Sequence, residues 1–159
     1  MTLALGIAAA AVATALLIAV PRILLGRAQD RLAAKLLAEP GAAFKLLTRA
    51  ERVAGTHRRT PGVLGLTEDA VAFHGLFGET EVLPTSRMSK IVTGQRLASG
   101  RKLLRHEVLR LTRSNGEDLE GEDLEFVLAR ASAGAWRSHL GLWALAERQA
   151  AMDRVTPGR

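Results

Sequence analysis

The chain has four histidines, at positions 57, 74, 106 and 139, and no cysteine. Without cysteine there is no thiolate nucleophile, no disulfide and no cysteine-ligated zinc or iron–sulfur centre. No two histidines form a close pair at metal-ligand spacing. Ser138 and His139 are adjacent, and neighbours on a helix point in different directions, unlike a nucleophile and its base. No phosphate-loop or dinucleotide-binding pattern occurs. Acid–base catalysis needs positioned groups with tuned pKa values, and no such constellation is legible. The chain reads as a non-enzyme, without metal or cofactor.

What remains is charge. The net charge is +6, and it is unevenly placed. Residues 1–21 carry no charged side chain, whereas residues 22–60 hold nine Arg or Lys against three acids, and the remainder balances. Such charge directly after an apolar stretch matches an anionic membrane surface and the positive-inside rule. The candidate headgroup or membrane-surface contacts are Arg22, Arg27, Arg31 and Lys35, followed by Arg58 and Arg59, whose planar donor forks suit phosphate. Nucleic acid is not the expected partner, because no recognised motif is present and aromatic residues for base stacking are few. An acidic unit, Gly-Glu-Asp-Leu-Glu, occurs twice in tandem over residues 116–125. It lacks the calcium-loop pattern and reads as a duplication in a surface hairpin loop.

The elements that must position these groups follow from periodicity. Thr2 to Val20 is almost wholly Leu, Ile, Val and Ala. About 20 residues at roughly 1.5 Å each span a hydrocarbon core of about 30 Å, so residues 1–21 read as a transmembrane helix ending at Pro21. A cleaved signal peptide is the alternative, but no basic residue precedes the apolar run. Residues 22–40 read as a second, basic amphipathic helix. Leu25, Ala28, Leu32 and Leu36 form its apolar stripe, Arg27, Arg31 and Lys35 line a neighbouring face, and Pro40-Gly41 stops it. That stripe suits either the headgroup region or the folded domain. Residues 41–52 read as a connecting segment, 53–151 as a β domain with a closing helix, and 152–159 as a disordered tail.

Within the β domain, Val63–Leu66 and Val71–Phe73 alternate at period 2 around a Thr67-Glu68-Asp69 turn, which predicts an antiparallel hairpin with Leu64, Leu66, Val71 and Phe73 in the core. Val53–Arg58 reads as an irregular first strand, with Arg58-Arg59-Thr60-Pro61-Gly62 as a basic turn. Gly75–Glu79 reads as a turn whose apolar residues, Leu76 and Phe77, close the end of a barrel. Strands are expected at 80–84, 86–93, 103–113 and 124–130, the third being the longest. Trp136, Leu140 and Trp143 then recur at helical spacing as plugs for the open end.

This order resembles the pleckstrin-homology-like superfold, especially bacterial PH-like and GRAM-like domains. The matching residues are Pro61 to Phe73, where such domains often read G-x-L-x-L-T-x-x-x-L-x-F, then Leu83-Pro84 to Met88–Val92, Leu124–Leu128, and Trp136 in the closing helix. The resemblance covers about residues 50–150 and is to the actinobacterial type that sits behind one membrane helix. It implies a mainly β fold: a barrel of two near-orthogonal antiparallel sheets capped by a C-terminal helix. It further implies lipid or protein binding rather than catalysis. The expected protein is thus a single-pass, membrane-tethered binding or scaffold module with its N-terminus outside and its domain cytoplasmic. Its partners would be the bilayer and an unidentified membrane or cytoplasmic protein. Anionic-lipid sensing by the domain itself, or a secreted domain behind a signal peptide, are the alternatives.

Overall fold

The computed structural model describes residues 2–41, 43–55, 58–114 and 121–141. The chain begins with one long helix, α1 (Thr2–Ala38), which passes through Pro21 without ending. The expected break into two helices at Pro21 is therefore corrected. Proline removes one intrahelical donor, but the residues on both sides are mostly Ala, Leu, Ile, Arg and Lys, among which several strong helix formers carry the helix on. It ends where expected: Pro40 cannot continue it, and Gly41 takes a left-handed turn with φ of 88°.

Seven antiparallel strands follow: β1 (Leu46–Ala54), β2 (Arg58–Leu66), β3 (Ala70–Gly75), β4 (Thr80–Pro84), β5 (Met88–Gly94), β6 (His106–Arg113) and β7 (Glu122–Ala129). They form one continuous sheet in the order β4-β3-β2-β1-β7-β6-β5, curled into a half-barrel. The expectation of two near-orthogonal sheets meets a single ladder. A second helix, α2, covers residues 130–141. Curling brings the edges together. Glu81 on β4 reaches Arg52 on β1 at 2.7 Å and Arg113 on β6 at 3.0 Å, although several strands separate them in the ladder.

The hairpin at 63–73 forms with its expected turn, in which the Ala70 N–H donates to Thr67 Oγ1 at 3.1 Å. Leu64, Leu66, Val71 and Phe73 all lie in the inner core with Phe126, Leu128, Trp136 and Leu140. Trp136 of α2 is wholly buried, so it plugs the concave side. Trp143 lies outside the described residues.

Other boundaries move. β1 starts at Leu46, inside the expected connector, and Phe44 before it covers the bare Gly65. Arg58 to Gly62 is no turn but the first half of β2. Pro61 is tolerated there because its carbonyl accepts the Leu76 N–H beyond the end of β3. Backbone N–H and C=O of one strand residue point the same way, so the missing donor falls where the β3 ladder has ended. β6 begins at His106 rather than 103 and is shorter than β1 and β2. The second acidic unit is not loop: Glu122, Asp123 and Glu125 stand in β7, and residues 115–120 lie outside the described set. Their carboxylates meet β6, with Glu122 on Arg113, Asp123 accepting from Thr112, and Glu125 on Arg110.

Gly62 shows how closely the sheet is packed. A Cβ there would lie 2.3 Å from the His74 carbonyl oxygen and 2.7 Å from the Phe73 ring. The position needs no unusual φ, so any cost of a side chain is steric. Gly62→Ala is expected to lower stability by about 1–3 kcal/mol, as other overpacked sites do, with the midpoint of denaturant unfolding as the measurement. An unchanged midpoint would contradict this packing.

Candidate functional site

The site is built where α1 meets the outer face of the sheet. The stripe Leu25, Ala28, Leu32 and Leu36 faces the strands, with Leu36 buried. Gln29 is buried among them. Its Nε2 donates to the Ala50 carbonyl at 3.1 Å and to the Gly62 carbonyl at 2.7 Å, one on β1 and one on β2. A buried amide is tolerated only when paired, so these bonds fix the helix over one place on the sheet. Beside it, Arg49 donates through Nε and Nη2 to the two carboxylate oxygens of Asp30, the first bond at 2.7 Å. The expected stripe is therefore spent on the domain rather than lying along headgroups.

Toward its N-terminus α1 leaves the sheet. From Val12 to Leu24 its large apolar side chains are 45–75 % exposed. The segment Val12–Ala38 is long and apolar enough to cross a membrane, and an N-terminal signal sequence has the same character. At the point of departure a cavity of about 550 Å³ opens between α1 and strands β1, β2, β6 and β7. It is lined by Arg22, Arg49, Arg59, Arg105 and His106, with Glu51 and Val127 among the other walls.

The sequence candidates divide. Arg22, Arg27, Arg31 and Lys35 are all exposed on α1, and Arg22, three residues before Leu25 and seven before Gln29, continues the face that meets the sheet. Arg22 and Arg27 share a shallow hollow with Arg49. Arg58 and Arg59 are consecutive strand residues and so point to opposite faces. Arg58 pairs with Glu79 at 2.9 Å and Arg59 with Glu51 at 3.2 Å. The structure thus brings Arg22 and Arg59 to one cleft and leaves Arg58 outside it.

Between β5 and β6 the sequence predicts a polar loop, Gly94 to Lys102, carrying Arg96, Arg101 and Lys102, and the structure extends this segment to Arg105. It is a tight, ordered loop. Leu97 N–H donates to the Arg101 carbonyl, Leu103 N–H to the Gln95 carbonyl, and Ala98 N–H to the buried Glu125 carboxylate at 2.8 Å. Leu97 and Leu103 are buried on Val108 and Val127, forming a second small core on the outer face. Phe77, expected to close a barrel end, is instead 79 % exposed. The chemistry-bearing pairs carry less: Ser138 donates to the Gly134 carbonyl, His139 is exposed, and His57 lies outside the described residues.

His74 is half-buried on β3, edge-on to the Phe44 ring at 6.5 Å between centroids. Burial pushes its pKa below the usual histidine value, opposed by the carboxylate of Glu39. The unfolded chain therefore binds this proton more readily than the folded one. Stability present above the ordinary histidine pKa should fall as the pH drops through it toward the lower folded value, then level off for this group. His74→Gln should flatten that part of the pH–stability curve. A slope unchanged by the substitution would contradict the assignment.

No protein-family model matches the chain, and no curated protein is significantly similar to it. The functional reading rests on the geometry.

Proposed function

We propose that the protein is a membrane-tethered, non-catalytic PH-like module, its domain held close against one face of the bilayer by a single helix. One observation carries this reading. The helix that docks on the sheet through Gln29 is the same uninterrupted helix whose exposed apolar residues leave the domain just before Arg22. Gln29 lies eight positions after Pro21, about 12 Å along the helix. The domain would sit within that distance of the membrane surface, as a scaffold facing a membrane or cytoplasmic protein. The exposed Arg22, Arg27, Arg31 and Lys35 favour a cytoplasmic domain with the N-terminus outside.

The PH-like assignment is supported by two antiparallel meanders, β1–β4 and β5–β7, joined through β1 and β7 and followed by a helix with buried Trp136. The signal-peptide reading is disfavoured by the continuity of α1 into its docked half. Headgroup recognition by Arg58 and Arg59 is disfavoured by their opposite directions and their acidic partners.

The full chain should stay in the membrane pellet after alkaline carbonate extraction, with its N-terminal residues intact by mass spectrometry. Deleting residues 2–21 spares the docked half, so the shortened chain should appear in the soluble fraction and unfold cooperatively. Arg58→Ala with Arg59→Ala should leave membrane retention unchanged. Release of the full chain by carbonate, or a mature N-terminus created by cleavage after the apolar run, would contradict the proposal.

A further inference from the structure

We propose that the loop joining β5 and β6, residues 95–105, is a second membrane contact, resting on the anionic phosphate surface of the leaflet next to the base of α1. This rests on the tether reading above. Four cations project from it, Arg96, Arg101, Lys102 and Arg105, all exposed, and residues 94–106 include no acid. None of the four makes an ion pair with a described residue, whereas Arg49, Arg52, Arg110, Arg113, Arg130 and Arg137 all do. Arg87 and Lys90 in the domain, and Arg22, Arg27, Arg31 and Lys35 on α1, likewise have no ion pair with a described residue; the loop's four are set apart by sharing one acid-free segment.

The loop is also built to present them. Leu97 and Leu103 pin it to the outer face, Glu125 holds its Ala98 amide, and Gly100 takes the turn with φ of 82°. Beside buried Leu103 stands Leu104, 79 % exposed between Lys102 and Arg105. An apolar tip flanked by cations suits the headgroup boundary, where the leucine enters the interface and the cations meet phosphates. Placement agrees. Arg105 and Arg22 line the same cleft, and Arg22 is the first charged side chain after the apolar run. The loop therefore lies at the level where α1 enters the bilayer. A helix alone leaves the domain free to turn about the helix axis, and a second contact beside it sets that rotation.

The chain has no cysteine, so single nitroxide labels can be placed on the full-length protein through Leu104→Cys and, separately, Glu68→Cys in the turn at the far end of the β2–β3 hairpin. Each is reconstituted in nanodiscs of phosphatidylcholine alone or mixed with phosphatidylglycerol. The label at 104 should show several-fold greater oxygen than nickel-chelate accessibility in the anionic discs. It should return to water when Arg101, Lys102 and Arg105 are changed to Glu, or when salt is raised on the unaltered loop. The label at 68 should stay in water throughout. A water-exposed label at 104 in anionic discs, with the chain retained in them, would overturn the loop contact and leave the tether standing. Failure of the chain to enter discs at all would overturn both. Burial of the label independent of lipid charge and salt would overturn the electrostatic contact.

Discussion

Everything outside the β core depends on one buried amide. Gln29 sits between α1 and the sheet and donates to carbonyls of two neighbouring strands. Leaving such a group unpaired in the interior costs about 1–3 kcal/mol, so the helix has one favourable seat, not a range of apolar ones. Leucine contacts tolerate sliding; two directed hydrogen bonds do not. The Asp30–Arg49 pair and buried Leu36 reinforce the same register. Once that seat is fixed, the direction in which the apolar half of α1 departs is fixed as well.

The need for such a helix follows from the strands. A curled sheet with a helix on its concave side requires only one apolar face. Here Val63 on β2 and Val127 on β7 are buried on the other face too. Two elements share the task of covering it: α1 over β1 and β2, and the β5–β6 loop, through Leu97 and Leu103, over β6 and β7. Both covers meet at the cleft holding Arg22, Arg59 and Arg105. Thus the covering of an apolar face, a folding requirement, also gathers positive charge at the end from which the apolar half of α1 leaves.

Much of the core was legible because it is local. The alternation from Val63 to Phe73, the short strand at Thr80–Pro84 and the helical spacing of Trp136 and Leu140 each depend on near neighbours in sequence. The misreadings have a common cause. Pro21 and Pro61 look like stops, yet neither ends its element. Pro61 sits past the end of its neighbour's ladder, and Pro21 lies within a run of strong helix formers. Gly-Glu-Asp-Leu-Glu reads as loop by composition, but across the sheet Arg110 and Arg113 neutralise its second copy and make it a strand. The site was less legible. Arg58 and Arg59 seem a pair only in one dimension, and strand geometry separates them. Arg49 joins the cleft through pairings that no local pattern encodes. The four unopposed cations of residues 95–105 were visible in the sequence; the ordered loop that displays them was not.

The central claim is that the apolar stretch and the folded domain form one rigid unit through an uninterrupted, docked helix. A distance measurement between spin labels at Ile18→Cys, in the exposed half of α1, and Glu68→Cys, in the β2–β3 turn, tests this most directly in the full chain. A rigid unit gives a single narrow distance distribution by pulsed dipolar spectroscopy, the same in detergent and in nanodiscs. A broad or two-peaked distribution would show a hinge at Pro21 or an undocked helix, and would contradict it.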